Sequence, residues 1–115
     1  MNQQTTYLLP LLKGNIIALS ADDIKYVRSD GPVIYIIDVQ DQQWAGGQSL
    51  KFYADLLAKA SFFQVSQSML VNLRKVRYID AVHQELELIC GKRITMSRNG
   101  LKMLKGHIKT QQYKW

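Results

Sequence analysis

Residues 62–76 read Phe-Phe-Gln-Val-Ser-Gln-Ser-Met-Leu-Val-Asn-Leu-Arg-Lys-Val. Strand-forming apolar residues open and close this stretch. Its middle, Ser66-Gln67-Ser68, is a polar triplet that neither strand nor helix favours, so the reading is two strands with a polar loop between them. A rigid apolar frame presenting small hydrogen-bonding groups is how binding loops are built.

The charge of the chain changes sign just beyond that loop. Residues 1–73 hold five Lys/Arg and six Asp/Glu, whereas residues 74–115 hold ten and three. After Leu88 there are seven basic residues and no acidic one. Protein surfaces usually intersperse the two signs, so this segregation points to a polyanionic partner, nucleic acid or an acidic membrane surface.

Outward from residues 62–76, short strand-like runs dominate. Tyr7–Leu12 and Asn15–Leu19 flank a turn at Lys13-Gly14-Asn15, and Ile24–Arg28 and Val33–Val39 flank Ser29-Asp30-Gly31-Pro32. Asp41-Gln42-Gln43 reads as a further turn. Lys75–Ile79, Glu85–Ile89 and Arg93–Met96 are strands, the second alternating Glu-Leu-Glu-Leu as a half-exposed strand does. Two helices are predicted. One is capped by Ser49 and runs to about Lys59, with Leu50, Tyr53, Leu56, Leu57 and Ala60 on one face; the other is capped by Ser97 and runs to about Lys109. The fold class is therefore mainly β (α+β), with too few helices for a helix-turn-helix or homeodomain module.

At 115 residues and 47% hydrophobic content, the chain suits one domain with a real core. No apolar run approaches the roughly 20 residues that span a bilayer, and no signal peptide is evident. A cytoplasmic protein without membrane insertion is expected. A single cysteine, Cys90, excludes an internal disulfide and, with only His83 and His107, does not make a zinc site. No catalytic grouping, phosphate-binding glycine loop or metal-ligand spacing is present, so neither an enzyme nor a cofactor is expected.

On the second helix Arg98, Lys102, Lys105 and Lys109 share one face, and Leu101, Leu104 and Ile108 share the adjacent one. Cations late in a helix suit the macrodipole and need no ligand. Arg98 is different, because a cation in the first turn opposes the dipole; a phosphate or guanine partner would explain that placement, with chance as the competing account. Gln67 and Ser68 offer hydrogen bonds to base edges or phosphate. Asn72 reads as a structural amide tying a turn to backbone groups. Tyr26, Tyr35, Tyr53 and Tyr78 read as core or core-edge residues, Cys90 as a small structural side chain, His83 as a surface residue without partners, and His107 as a cap or packing residue.

Taken in order, Ile24-Lys25-Tyr26-Val27, Ser49-Leu50, Phe63-Gln64-Val65-Ser66-Gln67-Ser68, Leu70-Val71-Asn72-Leu73 and Met96-Ser97-Arg98 resemble the LytTR DNA-binding domain. This bacterial module usually follows a receiver domain in response regulators. The resemblance runs from about Asn15 to Ile108. It implies about ten short strands in small stacked sheets with two short helices, and loops rather than a recognition helix in the major groove. It divides the chain into a lead-in (1–14), the LytTR-like domain (15–110) and a tail (111–115).

The resemblance also implies three base-contacting places: the loop around Ser29–Ile34, the tripeptide Ser66-Gln67-Ser68, and Arg98; Asn99 beside it is a further candidate DNA contact. Lys102, Lys92, Arg93 and Arg77 would hold the DNA backbone. The implied partner is double-stranded DNA carrying promoter repeats, often read as a homodimer; the missing receiver suggests control by abundance or by a regulatory protein partner. Two departures stand out. The family's His-Arg-Ser or His-Asn-Ser is Ser66-Gln67-Ser68 here, where Gln67 retains the ability to pair bidentately with adenine. The early loop contains Gly31-Pro32 and no evident basic reader. A chain of 115 residues also leaves no room for a receiver, so a stand-alone regulator is expected. Two other classes remain open: a single-strand or RNA binder, which needs exposed aromatics on a sheet face, and a protein-interaction module acting on other regulators.

Overall fold

The computed structural model of the protein describes residues 5–111; the first four residues and the tail 112–115 lie outside them. Ten strands and two α-helices follow in the order β1 (Thr6–Pro10), β2 (Ile16–Ser20), β3 (Ile24–Asp30), β4 (Val33–Asp38), β5 (Gln43–Gly46), α1 (Leu50–Leu56), β6 (Phe62–Ser66), β7 (Met69–Asn72), β8 (Val76–Asp80), β9 (Glu85–Leu88), β10 (Arg93–Thr95) and α2 (Arg98–Gln111). They build three antiparallel sheets: β1-β2, a central β5-β4-β3-β7-β6, and β10-β9-β8.

The central sheet is apolar on both faces because its strands alternate between two cores. Val27, Ile34, Ile36, Phe62 and Leu70 point to one side, where Leu50, Tyr53 and Leu57 from α1 and its C-terminal turn and Leu9 from β1 meet them. Tyr26, Ile37, Val65 and Val71 point to the other, against Leu86, Leu88, Ile94 and Met96 of the three-stranded sheet and its exit, with Leu101 and Leu104 of α2. Each fully buried aliphatic side chain contributes about 1.5–3 kcal/mol, so the middle layer is held from both sides. The Glu-Leu-Glu-Leu run behaves as its alternation predicts, with Leu86 and Leu88 buried and Glu85 and Glu87 on the outer face.

Both predicted helix caps form. Ser49 Oγ accepts from Phe52 N at 3.1 Å, and Ser97 Oγ accepts from Gly100 N at 2.8 Å. The first helix is shorter than the spacing implies. It ends at Leu56, passes into a 3-10 turn at Ala58–Ala60, and stops at Ser61 in the left-handed region. Tightening the last turn satisfies terminal carbonyls while Leu57 stays in the core.

Strand β5 begins at Gln43, a residue the sequence placed in a turn. Asp38 makes this possible: one carboxylate oxygen accepts from Gln40 N and Gln42 N at 2.9 Å each, and the other accepts from Trp44 Nε1 at 3.0 Å. The buried carboxylate satisfies the turn's donors, so the chain reverses at once. Asn72 is fully buried and structural, as read. Its Nδ2 donates to Ala21 O at 3.1 Å and Ile24 O at 2.9 Å, while Oδ1 accepts from Arg74 N at 3.0 Å.

Three other readings change. Tyr78 is 53% exposed on β8, under the Arg93 guanidinium, and is not a core residue. Cys90 is exposed, with the Lys25 ammonium 3.6 Å from its sulfur. His83 is a surface residue but has a partner, its Nδ1 lying 2.8 Å from Asp80 Oδ2. The turn read at Ser29-Asp30-Gly31-Pro32 forms, as a two-residue hairpin turn with Gly31 at φ +61° as a type II′ turn requires. His107 packs on Phe63, ring centroids 5.0 Å apart. No helix among the described residues is long and apolar enough to cross a membrane.

Candidate nucleic-acid interface

The β6–β7 turn is the centre of the site. Strand β6 runs through Ser66, so the exposed tip is only Gln67 and Ser68, and a bulge between Gln64 and Ser66 precedes it. A bulge adds local twist and re-aims the side chains beyond it. Ser66 Oγ accepts from Ser68 N at 3.3 Å, which braces the tip without consuming the Gln67 amide.

Two other segments are bonded to this turn through backbone. On one side Ser29 N donates to Ser68 O at 2.8 Å, bringing the β3–β4 hairpin alongside. On the other, Ser97 N donates to Val65 O at 3.0 Å, which seats the start of α2 on the end of β6. Gly100 permits that approach: a β-carbon there would lie 1.9 Å from the Val65 carbonyl oxygen. Ser29, Gln67-Ser68 and Arg98 therefore meet at one end of the central sheet, although far apart in sequence.

Helix α2 carries the charge. Leu101 and Leu104 are buried and Ile108 is half-buried on one face, whereas Arg98, Asn99, Lys102, Lys105 and Lys109 are exposed. Arg98, Lys102, Lys105 and Lys109 line a single groove along the helix. None of these cations takes part in an ion pair among the described residues. Their full charge faces solvent.

Arg77 and Arg93, expected beside the DNA backbone, sit in a different setting. They lie on the outer face of the three-stranded sheet amid three carboxylates. Arg77 pairs with Glu87, and Arg93 contacts Glu85 at 3.0 Å, Asp80 at 3.2 Å and Glu87 at 3.2 Å. The Arg77 hydrogen bond holds the Glu87 carboxyl below its ordinary value, and Glu85 then Asp80 raise the Arg93 guanidinium. Asp80 is lowered first by His83. All three acidic residues of the basic half are thus absorbed here, which leaves the helix cations uncompensated. Lys92 is exposed elsewhere, 5.8 Å from the Tyr26 ring in an open cleft.

The structure therefore brings Ser66, Gln67, Ser68, Arg98, Asn99 and Lys102 together, and leaves Arg77 and Arg93 apart from them. Arg28, a cation ending an apolar strand run, also comes close to this turn, since it pairs in register with Met69, which pairs with Ser66. The exposed aromatics among the described residues, Phe52 and Tyr78, lie on separate elements and make no stacking platform on one sheet face.

The comparisons agree with this architecture. The family model for the LytTr DNA-binding domain matches residues 14–109. A solved LytTr DNA-binding domain from Bacillus cereus superposes with a TM-score of 0.75 at 19% identity, covering 93% of this chain and 98% of that one. Comparison with curated proteins gave no match. With the family model spanning most of its length and the three-sheet fold in common, the chain belongs to the LytTR family of DNA-binding domains.

Proposed function

We propose that this protein is a sequence-specific regulator of transcription that reads promoter repeats in double-stranded DNA, as a homodimer, with turns placed in the major groove. One observation carries the reading: the Gln67-Ser68 tip and an arginine without a carboxylate partner among the described residues are joined at one end of the sheet through the Ser97–Val65 backbone bond. In this reading Arg98 pairs with guanine O6 and N7, Gln67 pairs with adenine, and Ser68 or Asn99 takes a neighbouring base or phosphate. Lys102, Lys105 and Lys92 hold the backbone. A phosphate near the start of α2 would meet both the Arg98 charge and the positive end of the helix dipole. Arg77 and Arg93 are assigned to holding the three-stranded sheet together.

The test is a titration of the promoter duplex upstream of the protein's own gene against a scrambled duplex. Arg98→Ala is expected to cost about 1–3 kcal/mol on the promoter and to relax preference at one base pair. Lys102→Ala should weaken both duplexes alike and lower the slope of log affinity against log salt by about 0.9. Equal binding of both duplexes by the parent protein, or an Arg98→Ala variant indistinguishable from it, would contradict the assignment.

A further inference from the structure

Arg28 is a basic residue of β3, which lies on the side of the β6–β7 turn away from β6 and the start of α2. Cross-strand register puts Tyr35, Arg28, Met69 and Ser66 in one row across four strands. Arg28 thus stands two strands from Ser66, about 10 Å at ordinary strand spacing. The next residue, Ser29, is the one bonded to the turn through Ser68 O.

Its surroundings hold the guanidinium without neutralising it. The guanidinium carbon lies 4.7 Å from the Tyr35 ring centroid, and Nη2 donates to Gln43 Oε1 at 3.2 Å. Both partners are uncharged. No described ion pair includes Arg28, in contrast to Arg77, Arg93, Arg74 and Lys25. A stack on one face and one amide contact fix the plane of the fork while other N–H donors stay unclaimed by side chains of the described residues, which suits bidentate binding of a phosphate. Arg28 lines the same open cleft as Met69, Tyr26 and Lys92, and the carboxylate there, Asp41, is paired with Lys25.

We propose that Arg28, with Lys92 across this cleft, binds a DNA backbone phosphate flanking the Gln67 turn on the side opposite Arg98, an inference that rests on the DNA-reading function above. The row position explains why a phosphate and not a base is the target. Arg28 sits on the sheet face one row behind the exposed tip, so it meets the strand beside the groove that the tip enters. The clamp has one arm from the start of α2 and one from β3.

Fluorescence anisotropy with the promoter and scrambled duplexes, across a salt series, tests this. Arg28→Ala should lower affinity for both duplexes by about tenfold and reduce the salt slope by about 0.9. Arg28→Lys, which keeps the charge and loses the fork, should retain most of the slope. A folded Arg28→Ala protein, verified by circular dichroism, with an unchanged slope would overturn the proposal while Arg98→Ala still supports DNA reading. Loss confined to one promoter base pair would overturn the phosphate assignment. Failure of the parent protein to bind either duplex would remove the DNA-reading function and this inference together.

Discussion

Gly100→Ala is expected to destabilise the domain by about 2–4 kcal/mol and to weaken DNA binding even where the protein remains folded. The added methyl would lie 1.9 Å from Val65 O and 2.6 Å from the carbon bearing it, both backbone atoms that no rotamer change relieves. The first turn of α2 must lift off β6. Overpacking of this kind costs about 1–3 kcal/mol, and the Ser97 N–Val65 O bond, worth about 1 kcal/mol net, is lost with it. Lifting the helix start also moves Arg98 away from the Gln67 tip. Gly106→Ala is the matched control, since a β-carbon there meets nothing within 4 Å. It should raise stability by up to about 1 kcal/mol through helix propensity. Urea denaturation of the two variants reads the contrast; equal stabilities would refute the close helix–strand approach.

Asn72→Ala should cost a comparable 2–4 kcal/mol. The side chain is fully buried and makes three hydrogen bonds to backbone: two carbonyls just before and at the start of β3, and the amide of Arg74. Truncation leaves those groups without the amide, at about 1–3 kcal/mol for each that stays buried and unpaired, less whatever relaxation or water recovers. Asn72→Asp retains the acceptor for Arg74 N but faces a carboxylate against two carbonyl oxygens. Burial there would raise its folded-state pKa, so stability should be regained as pH falls and lost as pH rises through that value. Denaturation at pH 7 and pH 5 checks the sign. Because Asn72 ends the strand leading from the Gln67 turn, both variants should also loosen the hairpin that carries the tip.

Much of this architecture is written in local pattern. Alternation in β3, β4 and β7 assigns side chains to two faces, Ser49 and Ser97 announce the helix starts, and the apolar stripe of α2 identifies its buried side. Strand β5 is illegible by comparison, because Asp41-Gln42-Gln43 carries turn residues and the Asp38 carboxylate that closes the turn acts through tertiary geometry. The site divides in the same way. The polar triplet and Arg98 are visible because their residue types conflict with their positions, a polar break in a strand run and a cation at a helix start. The pairing of Arg77 and Arg93 with Asp80, Glu85 and Glu87 depends on register across β8, β9 and β10, which composition cannot supply. Arg28 was hidden for the same reason. Its proximity to the turn exists only once Arg28 is set opposite Met69.

In the proposed function, DNA meets the end of the central sheet where β3, the β6–β7 turn and the start of α2 converge. Amide chemical shifts of the isotopically labelled protein, followed as the promoter duplex is added, test it most directly. The largest changes are expected at residues 28–31, 66–69 and 97–102, with Arg77, Glu87 and Arg93 little moved. Changes centred on the three-stranded sheet or on the β1–β2 hairpin, with Gln67 and Arg98 unperturbed, would contradict it.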